Sequence, residues 1–236
     1  MNRLRQLSGI AAATAIALAS SAAQASLITN GFTFAVASGS DVSAGSHFHS
    51  NTGGAFGNPS GKAEVGRFAS EEVRGLSEYN IAGQSSASSA FVTFSIFKEG
   101  GLFPGVNSIP FTGTIFVEAY AGNNIEDISD YQATTLGAIG SFVASPLSLS
   151  PGDVISFDIT SVFNAAIAAN DTSLGMRLRV NPANADYAQS FAWTFDNFRL
   201  TTDNQSTVPT GNTVPEPTTL ALVAVALAAA ARSKRP

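Results

Sequence analysis

The chain has 236 residues, no cysteine and a formal net charge of −5, with 12% charged side chains against 44% hydrophobic ones. Lack of cysteine excludes a thiolate nucleophile, a thiolate metal centre and any disulfide, so a folded body must rest on its core. Setting aside the two terminal segments described below removes Arg3, Arg5, Arg232, Lys234, Arg235 and Glu216; that leaves 7 basic and 16 acidic residues, a formal net of −9, which repels phosphates and excludes a nucleic-acid partner.

At the N-terminus, Arg3 and Arg5 precede the apolar stretch Ile10–Ala19, and Ala23-Gln24-Ala25 follows it. A basic region, an apolar region and a small-residue site in that order read as a secretory signal peptide over residues 1–25, with cleavage expected after Ala25. The body, 26–200, reads as β-structure. Ile28, Phe32, Phe34 and Val36 share one parity, as a half-buried strand requires. Ser38 to Gly61 is polar and glycine-rich, a long loop or a pair of weak strands. Strands are predicted at Arg74–Ile81, at Phe91–Phe97 with Val92, Phe94 and Ile96 inward, and at Thr114–Tyr120 with Ile115, Val117 and Ala119 inward. Ile155–Ile159 alternates, and so does Met176–Val180, which places Arg177 and Arg179 outward.

One helix follows Ile159. Thr160 or Ser161 is the expected cap, Val162, Phe163, Ala166 and Ile167 form an apolar face, and Asn170 ends it. In Phe191–Leu200 the parity slips: Phe191, Trp193 and Phe195 are odd, Phe198 and Leu200 even. A one-residue bulge near Asp196-Asn197 brings both sets to one face. Seven or more short strands with turn-rich spacers predict an all-β fold, an antiparallel β-sandwich of jelly-roll type with one short helix. Residues 201–213 are polar and aperiodic, a flexible linker.

Little in the body points to chemistry. His47 and His49, one residue apart, would share a side of a strand, yet no third ligand is near; they read as exposed loop histidines. Glu126, Asp127 and Asp130, with Asn123 and Asn124, offer hard oxygen donors for a structural calcium, but the spacing lacks the EF-hand pattern and the acids read as solvated turn residues. No other cofactor or metal is expected. No G-x-S-x-G elbow or phosphate-binding glycine loop occurs, so the body reads as non-enzymatic. Phe91, Phe97, Phe116 and Tyr120 lie opposite the core parity. They would either stack on sugar rings or be covered, and burial is the expectation.

The tail is the most specific stretch. Val214-Pro215-Glu216-Pro217-Thr218-Thr219 is followed by an apolar run of 12 residues, Leu220 to Ala231, and then by Arg232-Ser233-Lys234-Arg235-Pro236. Pro217 fixes where a helix begins, and at about 1.5 Å per residue the run spans roughly 18 Å, short of a hydrocarbon core of about 30 Å. This order resembles the PEP-CTERM sorting signal. The resemblance covers residues 214–236 and implies handling by an exosortase, a membrane-embedded cysteine-type transpeptidase, with Pro215, Glu216, Pro217, Arg232, Lys234 and Arg235 as the sorting and processing residues. It further implies export, transient inner-membrane insertion and delivery to the cell surface or extracellular matrix.

Val154–Asn170 resembles a segment of secreted jelly-roll modules of the DNRLRE and carbohydrate-binding kind. The expected function is that of an exported structural protein of the surface or exopolysaccharide matrix. The alternatives are a carbohydrate-binding module for extracellular polysaccharide and a hydrolase acting on it.

Overall fold

The computed structural model describes residues 26–28, 31–39, 41–49, 61–103, 105, 107–181 and 190–202. Among the described residues there are eleven strands: β1 Ser26–Ile28, β2 Gly31–Ser38, β3 Gly45–Phe48, β4 Ala63–Phe68, β5 Glu71–Asn80, β6 Ala90–Glu99, β7 Gly113–Ala121, β8 Thr135–Ala144, β9 Val154–Asp158, β10 Ser173–Val180 and β11 Phe191–Thr202. A 3-10 turn, Ile128–Tyr131, lies between β7 and β8, and the helix α1, Thr160–Ala169, between β9 and β10.

Every strand pair is antiparallel, and the ladder runs β8-β7-β10-β5-β4-β11-β6-β9. Split at the β4–β5 hairpin, this gives two four-stranded layers, β5-β10-β7-β8 and β4-β11-β6-β9, made from eight consecutive strands. That is the order of a jelly roll. The layers face each other through aromatic side chains: Phe142 of β8 lies 6.1 Å from Phe94 of β6 and 5.8 Å from Phe195 of β11, centroid to centroid. The core holds the inward sets expected from alternation, including Val92, Phe94, Ile96, Ile115, Val117, Ala119, Met176, Leu178 and Trp193. The jelly-roll sandwich read from the sequence is therefore the fold observed.

The long strand β11 carries the expected slip. Its register against β6 shifts between Asp196 and Arg199, and Asn197 takes a left-handed φ of 53°. Phe195 and Phe198 consequently both reach Phe94, at 5.5 and 4.8 Å. A second shift lies between Thr194 and Phe195, which pair with Lys98 and Ile96. Phe97 is left without a partner there, and it points outward.

Three expectations need correction. The helix has Ile159 as N-cap with no side-chain bond; the Thr160 hydroxyl instead donates to Asp158 Oδ1 at 2.6 Å. Asn170 ends the helix in the left-handed conformation, as read. Secondly, Arg177 is not on an exposed face: it is 4% exposed. The outer surface of β5-β10-β7 is covered by the 3-10 turn and by β2 and β3, with Phe34, Val36, Leu76, Tyr120 and Tyr131 forming a second core. Thirdly, β11 runs two residues beyond Leu200, to Thr202.

Candidate functional site

Ala23 and Ala25 of the expected cleavage site, and Pro215, Glu216, Pro217, Arg232, Lys234 and Arg235 of the tail, lie outside the described residues. Among the described residues, no helix is long and apolar enough to cross a membrane.

The four aromatics opposite the core parity have different fates. Tyr120 is fully buried, so it cannot meet a sugar. Phe116 is half-buried and lies under the Arg179 guanidinium, 5.0 Å from ring centroid to Cζ. Phe91 is half-buried as well. Phe97, released by the register shift, is 42% exposed, with Lys62 Nζ 4.2 Å from its ring centroid. Lys62 pairs with Asp196 Oδ2 at 3.1 Å. Asp196 Oδ1 in turn accepts from Ser95 Oγ at 2.7 Å and from Asn197 Nδ2 at 3.0 Å. Beside this chain of contacts the outer face of β6, β9 and β11 forms a shallow groove of about 330 Å³ lined by Thr93, Ser95, Val154, Asn197 and Arg199. Arg199 is exposed and engages no carboxylate among the described residues. An exposed ring, an unengaged guanidinium and hydroxyl and amide groups thus share one face.

The acidic loop does not gather as expected. Asp127 caps the 3-10 turn, its Oδ1 accepting from Ser129 N at 2.6 Å, and hydrogen bonding from the Ser129 side chain foremost, then from this N–H, holds its carboxyl below the usual range. Asp130 is 3% exposed, not a solvated turn acid. Burial foremost, with the Glu78 carboxylate beside it, pushes its carboxyl up to about 8. Among the described residues no three His, Asp or Glu side chains converge on one point, so Glu126, Asp127 and Asp130 do not form the three-acid calcium site considered for them.

Next to Asp130 lies a buried ionic network. Arg177 Nη2 donates to Glu118 Oε2 at 2.9 Å and Arg179 Nε to Glu118 Oε1 at 2.7 Å. Burial alone would raise the Glu118 carboxyl, but hydrogen bonds and charge from both arginines outweigh it and leave it lowered. Arg177 Nη1 also donates to the carbonyls of Asp130, Tyr131 and Ala133. The guanidinium thereby ties the 3-10 turn to the sheet.

The two histidines part company. His47 is exposed, with Nε2 3.6 Å from Glu71 Oε2. His49 is buried, contrary to the loop reading, with Nε2 3.0 Å from Glu64 Oε1. Glu64 is itself fully buried and accepts from Leu102 N at 2.8 Å and from Asn107 Nδ2. The rings of Phe68 and Phe103 close over His49 at 5.5 and 4.6 Å. Since the histidines face carboxylates on different strands, they do not share a ligand.

The model of the family described as the PEP-CTERM protein-sorting motif matches residues 213–235. The tail is a PEP-CTERM sorting motif. That motif marks an exported protein processed at the membrane, and exosortases recognise it. No curated protein matches the chain. The match covers the C-terminal end alone and leaves the role of the sandwich to its own surface.

Proposed function

We propose that the protein is a non-enzymatic component of the cell surface or exopolysaccharide matrix, a jelly-roll body delivered by its PEP-CTERM motif. The observation that carries this reading is the sorting motif at residues 213–235, joined to a body of formal net charge −9 (7 basic against 16 acidic residues once both terminal segments are set aside). Several body carboxylates are engaged structurally: Glu118 by two arginines, Glu72 by Arg74, Glu64 by His49 and Asn107. Deleting residues 213–235 and fractionating cells into membrane, matrix and medium tests the assignment. Retention at the surface or in the matrix should disappear, with the protein released or held as precursor. Unchanged retention of the deletion variant would sink it.

A second reading, in which the body also binds extracellular polysaccharide, is favoured by the face carrying Phe97, Lys62 and Arg199. Aromatic faces pack against the C–H surfaces of sugars and a guanidinium pairs with uronate carboxylates. Co-sedimentation of the full chain with purified matrix polymer reads it out, comparing wild type with Phe97→Ala and Arg199→Gln. Both positions are exposed, so the fold is retained and binding should weaken about tenfold, the loss of one good contact. Equal binding by all three proteins would remove this face from the account. Release of reducing ends in the same assay, abolished at a single acid, would replace binding with hydrolysis.

A further inference from the structure

The strand ladder ends on β8 and β9, and these two ends meet. Phe157 of β9 lies 6.3 Å from Phe142 of β8, centroid to centroid, and its ring fills the space that a Cβ on Gly140 would need. On the opposite flank β4 bonds to β5, which joins the two layers. One flank of the sandwich is therefore closed and the β8/β9 flank is open. Among the described residues β8 pairs only with β7, which leaves a row of N–H and C=O groups along its outer edge. Helix α1 stands beside the first half of the strand, where a Cβ on Gly137 would meet Val162 Cγ2 at 3.9 Å. The second half, Gly140 to Ala144, keeps an unbroken register against Val117 to Gly113.

The other strands that pair on one side only carry the features that blunt an edge. Strands β1 and β3 have 3 and 4 residues, and β9 has 5 and ends on Asp158. Strand β8 has 10 residues, with neither a charge nor a proline. The neutral stretch extends past it on both sides: no charged residue occurs from Gln132 to Gly152. Exposed apolar side chains gather here as well. Seven large hydrophobics are exposed among the described residues, and Leu136, Val143, Leu147 and Val154 lie in β8, in the turn after it or at the start of β9.

Charge decides what this edge takes. A body of formal net −9 repels its own copies except where two neutral surfaces meet, and a basic partner would find no carboxylate on this stretch. The unpaired backbone fits an extended strand, and β8 of a second molecule is one that is equally neutral. We propose that the β8 edge is a homodimer contact, in which Gly140–Ala144 pairs antiparallel with its counterpart about a twofold axis at Phe142. In that register Ser141 lies opposite the partner's Val143. Both positions are exposed on the outer face of the sheet, so like faces match and Val143, 60% exposed, gains cover. The two β5-β10-β7-β8 layers become one eight-stranded sheet. Such an isologous contact closes on itself and forms no filament.

The test is sedimentation velocity of the full chain with amide exchange alongside, in a density-matched detergent that keeps the apolar run Leu220 to Ala231 from associating. Wild type should be dimeric at about 100 μM and dissociate on dilution. Raising the ionic strength should strengthen the dimer, because it screens the repulsion between like-charged bodies. Amides of Gly140–Ala144 should exchange about tenfold or more faster after dilution, and this readout needs no variant. Val143→Lys changes an exposed side chain, so the fold is kept, and sets two like charges near the axis; association should weaken at least about tenfold. Ile125→Lys, exposed but away from this flank, should leave it unchanged. A wild type that stays monomeric at about 100 μM overturns the proposal. So does a dimer that survives Val143→Lys, or β8 protection that is the same at every dilution or arises only when matrix polymer is added.

Discussion

Replacing Arg177 with methionine keeps the apolar stem and deletes a guanidinium that makes six hydrogen bonds while 5% of its side chain is exposed. Removing one partner of a buried ion pair costs about 3–5 kcal/mol when the other is left alone. Glu118 is not left alone, because Arg179 still reaches Oε1 at 2.7 Å. The Tyr131 carbonyl keeps its bond from Arg74 at 2.7 Å, and the Asp130 carbonyl keeps one from Ala133 N. The Ala133 carbonyl loses its side-chain donor, a loss of about 1–3 kcal/mol if no water replaces it. The expected cost is therefore near the lower bound, about 3 kcal/mol, read as a shift of the urea midpoint at pH 7 with an unchanged slope. Adding Glu118→Gln to Arg177→Met should cost less than the sum of the single changes, because the pair is coupled. A stability within about 1 kcal/mol of wild type for Arg177→Met would refute the reasoning: the network would then merely offset its own desolvation.

The raised Asp130 carboxyl fixes a sign for pH dependence. A folded value of about 8 lies above the unfolded value, so the folded state binds more protons and its stability falls as pH rises from about 4 to 8. Urea denaturation at a series of pH values should give a flatter profile for Asp130→Asn than for wild type over that interval, and identical profiles would refute it. At the β11 bulge, Asn197→Val places a β-branched residue at φ 53° and removes bonds to Ser95 Oγ and Asp196 Oδ1; chemical denaturation should show a loss of about 2 kcal/mol, and Asn197→Gly a smaller one. Gly66→Ala drives a Cβ into the Phe191 carbonyl on the paired strand. It should disrupt the β4·β11 ladder, seen as fast amide exchange in both strands, and a wild-type exchange pattern would contradict the packing described.

What the sequence made legible was whatever depends on a side chain facing one core. The slip in β11 is readable because Phe195 and Phe198 fall on opposite parities and only an inserted residue brings both to one face, where both meet Phe94. Arg177 and Arg179 were assigned to the correct side of β10, opposite Met176 and Leu178. Their solvent exposure was not legible, because it depends on a connection more than 40 residues away folding back over that side. Strand β4 escaped the reading for a related reason: Glu64 and Arg67 look like surface charges, yet both are buried. Strand β8 is hard to read because it is a sheet edge whose alternation changes phase at Ile139-Gly140, where its register against β7 shifts, and because Gly137 and Gly140 interrupt it; Gly140 gives its space to the Phe157 ring. On the face that carries the groove, parity singles out Phe97, which lies beside the groove, whereas Arg199 gives no local signal. Sorting information was readable without any fold, since a proline-bounded motif, an apolar run and a basic end are contiguous in the chain.

The pairing of the first and last strands has a consequence for delivery. Ser26 lies opposite Thr202, and Ile28 opposite Leu200, so the chain enters and leaves the sandwich at one corner, about 5 Å apart. Residues 203–213 can extend at most about 40 Å beyond that corner. The two segments that flank the described body, one before Ser26 and one after Thr202, are therefore joined to it side by side at a single pole, so neither can be clipped or exchanged without the other close at hand.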